Sequence, residues 1–181
     1  MATTATRPQD ARLERLFEAT DTNNDGVIEW SDYERIVDRY VSGFGLDRDS
    51  REAQALRAAH LMYWFELRRH AGGNDRLDRD DYIAALHSLI VDTSRFNLVE
   101  GIPHAIFDVI DRNGDGGISK EEFSRYLQVW KIDPKTGLEV FNRLDIDGDG
   151  SISRHEFIRS WREFFYSYDP EVPGSFYFGR V

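Results

Sequence analysis

The chain has 181 residues, 40% hydrophobic and 13% aromatic, enough to bury a core in one sizeable domain or two small lobes, which excludes a disordered chain. A formal net charge of −10 argues against nucleic acid and anionic lipid, both of which call for clustered Lys and Arg. There is no cysteine, so disulfides, thiolate metal sites and Cys nucleophiles are excluded, and a reducing, cytoplasmic setting is expected.

The opening stretch Met1 to Pro8 has no apolar core of the kind a secretory leader needs, and Ala2 is not the glycine that N-myristoylation requires. No apolar run is long enough to span a bilayer. The first predicted helix places Leu13, Leu16 and Phe17 on one face. It leads into Asp21-Thr22-Asn23-Asn24-Asp25-Gly26-Val27-Ile28-Glu29-Trp30-Ser31-Asp32, after which Tyr33 and Val37 resume a helical apolar face.

This segment has side-chain oxygens at positions 1, 3, 5 and 12 of a twelve-residue loop and glycine at position 6. Such spacing is that of an EF-hand, in which a hard cation, Ca²⁺, collects six to eight oxygen ligands. The expected ligands are Asp21, Asn23, Asp25, the Val27 carbonyl, Glu29 and Asp32. Asp32 is one methylene shorter than the usual Glu at position 12 and reaches an ion less easily with both oxygens, so this loop is expected to discriminate less between Ca²⁺ and Mg²⁺.

Leu56, Leu61, Met62, Trp64 and Phe65 mark a long helix before a second, decayed copy of the loop beginning at His70. Leu77 occupies position 8, the apolar residue that pairs with its partner loop, and Tyr82 and Leu86 follow where Tyr33 and Val37 do in the first repeat. His70 replaces the first Asp, Gly72 offers no side-chain oxygen and Asp75 takes the glycine position. Only Asn74, Asp78 and Asp81 remain as donors, so this hand is expected to keep its pairing role without a metal. The connection from Val91 to Pro103 contains Phe96, Leu98, Val99 and Ile102 and does not read as a solvated linker.

Phe107 and Ile110 precede a third loop, with ligands expected from Asp111, Asn113, Asp115, the Gly117 carbonyl, Ser119 and Glu122. Phe141 and Leu144 precede a fourth, with Asp145, Asp147, Asp149, the Ser151 carbonyl, Ser153 and Glu156. Gly116 and Gly150 sit at position 6, and Phe123, Leu127, Phe157 and Trp161 continue the pattern downstream. After the last helix comes a tail with Tyr166, Tyr168, Phe176, Tyr177 and Phe178, broken by Pro170, Pro173 and Gly174, which is expected to lie in a groove of its own protein.

The expected fold is all-α: four EF-hands in two pairs forming one compact globule, with short β-bridges joining Ile28 to Leu77 and Ile118 to Ile152. The divisions expected are 1–92 for the first pair, 93–166 for the second and 167–181 for the aromatic tail. Sensors of this class expose a Met-rich groove, whereas this chain has two Met against 12 Phe, 8 Tyr and 4 Trp. That balance favours a monomeric Ca²⁺ buffer over a sensor that regulates a partner protein. The five histidines, His60, His70, His87, His104 and His155, are scattered without a nucleophile or HExxH spacing, so no enzyme is expected.

Four hands with the second decayed, Glu29 and Asp32 at positions 9 and 12 of the first loop, the aromatic helices and the Phe178-Gly179 tail together resemble the sarcoplasmic calcium-binding proteins, in particular their bacterial, calerythrin-like branch. The resemblance covers nearly the whole chain. It implies a compact helical protein holding ions in hands one, three and four, acting mainly as a Ca²⁺ buffer or transporter with some Mg²⁺ competition. The same three-of-four pattern occurs in Ca²⁺-triggered photoproteins, which hold a coelenterazine peroxide in an aromatic cavity. His104, His155, Trp130, Trp161 and Tyr166 are the residues such a cavity would draw on. The lack of Cys, and Val181 where those proteins end in proline, speak against it.

Overall fold

The computed structural model describes residues 8–92 and 100–176. Phe96, Leu98 and Val99 of the connection, and Tyr177, Phe178, Gly179 and Val181 of the tail, lie outside them. Eight α-helices are found among the described residues: α1 (Pro8–Thr20), α2 (Trp30–Gly43), α3 (Arg51–His70), α4 (Arg79–Val91), α5 (Gly101–Ile110), α6 (Lys120–Val129), α7 (Pro134–Leu144) and α8 (Arg154–Tyr166). A 3₁₀ turn, Pro173–Phe176, follows.

Local chemistry accounts for the helix ends. Ser50 caps α3 by accepting the Ala53 amide at 3.2 Å, with Glu52 in the first turn and Arg68, Arg69 and His70 in the last, the charge order that a helix dipole favours. Asp133 caps α7 through the Lys135 and Thr136 amides. Ser119 and Ser153 form capping boxes with Glu122 and Glu156, so position 9 of each C-terminal loop also starts the next helix.

Two-residue strands β1 (Val27–Ile28) and β2 (Leu77–Asp78) pair antiparallel, with Ile28 opposite Leu77. Strands β3 (Gly117–Ser119) and β4 (Ser151–Ser153) pair likewise, with Ile118 opposite Ile152. All four of these position-8 residues are fully buried. The expected hand pairing is therefore the observed one, and it sets two loops side by side at each bridge.

The two pairs share one core. Helix α3 packs on α5, α2 on α6 and α1 on α8, so three helices of the first half rest on the second. At the seam, Trp130 Nε1 donates to the Tyr40 hydroxyl at 2.7 Å, and the Tyr40 ring meets Trp130 edge-on at 6.1 Å. The apolar positions singled out by periodicity (Leu13, Leu16, Phe17, Val37, Leu127 and Trp161) are all in the core.

The segment after α8 packs on α7 and α8 through the 3₁₀ turn. Arg12 of α1, buried as a whole residue, donates to Ser175 Oγ at 2.8 Å and to the Ser167 carbonyl, and Gln9 donates to the Phe165 carbonyl at 2.6 Å. Tyr168, expected in the groove, instead points to solvent at 70% exposure. Gly174 is the point of closest approach: a Cβ there would run into the Ser160 carbonyl and the Phe164 amide, which are backbone and cannot move aside. Gly174→Val is expected to destabilise the fold by about 2 kcal/mol or more. A urea midpoint equal to that of the unmodified chain would contradict this packing.

Candidate metal centres

Three loops share one internal geometry. The residue at position 6 takes a left-handed conformation, with φ of +79° at Gly26, +89° at Gly116 and +91° at Gly150. A side chain would be strained there. This turn brings the position-6 amide onto the position-1 carboxylate: Gly26 N to Asp21 Oδ2 at 2.9 Å, Gly116 N to Asp111 Oδ2 at 3.1 Å, Gly150 N to Asp145 Oδ2 at 3.0 Å. Position 3 accepts from the position-5 amide, through Asn23, Asn113 and Asp147. Position 5 accepts from the position-7 amide, through Asp25, Asp115 and Asp149. Backbone N–H groups thus fix the loop oxygens in place; in the first and third loops the position-1 Oδ1 also accepts an amide, from Asp25 and Gly114, and the position-3 Asn donates its side-chain amide to the position-5 carboxylate.

Position 12 closes the loops from the following helix. Glu122 Oε1 accepts the Arg112 and Asn113 amides and its Oε2 the Ser119 amide and hydroxyl. Glu156 does the same with Ile146, Asp147 and Ser153. Burial pushes the Glu156 carboxyl up, but the Ser153 hydroxyl and amide and the Ile146 and Asp147 amides outweigh it and hold the group below its ordinary value of 4.5. Asp32 sits in the equivalent frame and is fully buried, with Oδ1 accepting the Thr22 amide at 3.0 Å and Oδ2 the Glu29 amide at 3.0 Å.

The fourth loop gives the clearest test of fit to a cation. Oxygens of Asp145, Asp147 and Asp149 lie within 4.8 Å of one another. Asp145 Oδ1 is buried and accepts no hydrogen bond. A buried, unsatisfied carboxylate oxygen among two further carboxylates is costly unless a cation completes it. The donor set is all oxygen, which selects hard divalent ions over Zn²⁺ or copper. Asp145, Asp147, Asp149 and Glu156 would hold such an ion, with Asp111, Asn113, Asp115 and Glu122 doing so in the third loop and Asp21, Asn23, Asp25 and Asp32 in the first. The position-7 residues Val27, Gly117 and Ser151 are the first residues of their strands.

Glu29 is placed differently from the expectation that it reaches an ion. Its Oε2 accepts from Arg76 Nη1 of the second loop at 2.9 Å and its Oε1 from the Ser31 hydroxyl at 2.8 Å. Ser119 and Ser153 commit their hydroxyls to the capping boxes. The second loop lacks the shared frame. Helix α3 runs through position 1, where His70 faces Asp92 at 3.5 Å, and Gly72 and Gly73 carry the left-handed turn in place of position 6. Asp81 is exposed, and Asp78 serves as the cap of α4. Sequence reading missed the arginines around the first loop, for which only the Thr22 hydroxyl gave a signal.

A fold of paired helix–loop–helix units with this loop frame defines an EF-hand protein. The family described as "EF-hand domain pair" matches residues 104–162, and "EF hand" matches residues 13–37. The chain is 29% identical over 136 residues to calerythrin of Saccharopolyspora erythraea, spanning 72% of this chain and 77% of that protein. It is 23% identical over 123 residues to a sarcoplasmic calcium-binding protein of Perinereis vancaurica tetradentata, spanning 68% and 70%. Among solved structures, a Streptomyces coelicolor calcium-binding protein described in terms of prokaryotic calcium-mediated regulation superposes with a TM-score of 0.75 at 25% identity, covering 87% of this chain and 97% of that one. Calcium-loaded apo-aequorin from Aequorea victoria superposes with a TM-score of 0.76 at 23% identity over 91% and 93%, a likeness of fold. The chain carries EF-hands and is similar to calerythrin and to the sarcoplasmic calcium-binding proteins.

Proposed function

We propose that this protein is a Ca²⁺ buffer or transporter that holds three ions, in the loops starting at Asp21, Asp111 and Asp145, with Mg²⁺ competing most at Asp21–Asp32. The second loop carries no ion. Residues 1–92 and 93–166 act as two hand pairs, followed by the aromatic tail 167–181, in a monomer of the cytoplasm whose ligands are the ions themselves and which catalyses nothing.

The observation that carries the buffer reading is the fastened tail. Pro173–Phe176 lies on α7 and α8 and is tied through Ser175 to the buried Arg12. A face occupied by the protein's own chain is not offered to a target helix. A sensor reading has its own support in a groove beside the first loop, where Trp30, Leu61, Trp64 and Phe65 meet a rim of Glu29, Arg68, Asp75 and Arg76, with Phe65 54% exposed. A luciferin reading is disfavoured. The interior cavity between Tyr33, His60, Tyr63, Tyr82, Trp130 and Trp161 is about 30 Å³, room for one water. Burial also pushes His60 down to about 4. His104 and His155 are exposed.

The deciding experiment titrates Ca²⁺, with and without Mg²⁺, while following a dye that brightens on apolar surface. Three ions bound with a flat dye signal is the expected result. A strong rise in dye signal would establish a sensor, and light on mixing with coelenterazine and Ca²⁺ a photoprotein.

A further inference from the structure

Loops one and four have the same number of candidate carboxylates: Asp21, Asp25, Glu29 and Asp32 against Asp145, Asp147, Asp149 and Glu156. By charge alone they should attract a cation equally. Their surroundings differ by two guanidinium groups. Arg35 Nη2 donates to Asp32 Oδ1 at 2.7 Å and Arg35 Nε to Thr22 Oγ1 at 2.6 Å, while the Thr22 hydroxyl donates to the same Asp32 oxygen at 2.7 Å. Arg76 holds Glu29 from the second loop at 2.9 Å.

The other loops have an arginine at the same offset and do not use it this way. Arg159, three residues past Glu156, turns along α8 to Glu163 at 2.9 Å. Arg125, three past Glu122, has no bond to that carboxylate among the described residues. Position 2 explains the difference: Thr22 supplies a hydroxyl that accepts Arg35 Nε, where loops three and four have Arg112 and Ile146. The shorter Asp32 then brings its oxygen within reach of the same guanidinium.

We propose that Arg35 and Arg76 are tethered counter-cations of the first loop, which make it the weakest of the three divalent-cation sites and keep it folded when no ion is bound. This rests on the reading that the first loop binds a divalent cation. An ion entering it meets a fixed positive charge across the Asp32 carboxylate and must take Glu29 from Arg76 or do without it. The cost in affinity is on the order of tenfold for a unit charge this close to a divalent ion near the surface. Arg35 has the larger share, because Asp32 is shielded from solvent while the Arg76 side chain is 60% exposed. The emptied second loop thereby acts on its partner through Arg76.

The test is calorimetric Ca²⁺ titration of metal-stripped full chain, with chelator competition for the tight sites and urea unfolding of the metal-free forms. The unmodified chain should show two tight sites and one weaker by about tenfold or more, and Asp21→Ala should remove the weak one. Arg35→Met should tighten that site on the order of tenfold and lower the metal-free urea midpoint, Arg76→Met should do the same to a smaller degree, and Arg35→Lys should stay near the unmodified chain. If Asp21→Ala removes no binding event, the first loop is not a site and both readings fall. If it removes an event but neither Met variant tightens it, or if the event removed is a tight one, the counter-cation proposal alone falls. Should Arg35→Met not fold, Arg76→Met decides, and an unchanged affinity there overturns the proposal.

Discussion

Stripping divalent cations from this protein is expected to lower its Tm by more than about 10 °C. The cause lies in how the fourth loop is built. Asp145, Asp147 and Asp149 bring oxygens within 4.8 Å of one another, and Glu156 closes over them from α8. Carboxylates at that separation repel, and each backbone N–H they accept is only a partial dipole. An ion that binds the folded loop and not the unfolded chain stabilises by about 4 kcal/mol per site when its concentration is a thousandfold above Kd. Chains of this size shift by about 2–4 °C per kcal/mol. Even with the first loop contributing little, two sites suffice for the predicted shift. Calorimetric scans in Ca²⁺ and in chelator measure it, and coincident scans would remove the basis for metal binding in loops three and four.

The second large effect is that of Glu156→Gln, expected to weaken the fourth site by at least about a hundredfold. The substitution keeps the size of the side chain and changes two things. It removes a negative charge, and it replaces an acceptor by an NH₂ group in a frame where Ile146 N, Asp147 N, Ser153 N and Ser153 Oγ all donate. One face of the amide must then oppose a donor. Chelator-competition titration reads the loss, and an affinity within tenfold of the unmodified chain would sink the assignment of position 12. Acid should act in the same direction. Glu156 is held below its ordinary 4.5, so its contribution to folding is full above that value and is lost as pH falls through the lower folded one.

What was legible in the sequence was what the chemistry of a hard cation forces. Oxygens at positions 1, 3, 5 and 12 and a glycine at 6 have few other reasons to coincide, so three loops could be placed by residue. Leu77 was enough to find the second hand, because a position-8 side chain must be apolar to sit under the bridge, whatever became of the ligands. Long side chains were not legible. Glu29 has the reach to touch an ion or an arginine, and which it touches depends on Arg76, 47 residues away across the β1–β2 bridge. Arg12 reads as a surface residue on a helix, yet it is buried against carbonyls that are close only once α1 meets α8. Pairings of that kind are fixed by tertiary packing, which no local periodicity records.

The Arg12 and Gln9 contacts bear on the order in which the molecule is assembled. Their partners lie 151 to 163 positions further along the chain. A ribosome adds residues at a rate that separates such partners by on the order of ten seconds. Helix α1 therefore leaves the exit tunnel with the apolar face of Leu13, Leu16 and Phe17 complete but its far seat on α8 not yet made. Contacts this distant in sequence carry a large loop-closure entropy and slow the final step of folding. Translation completes the second hand pair before the first can be fully seated, so the segment that closes over α7 and α8 also determines when the earliest helix is finally enclosed.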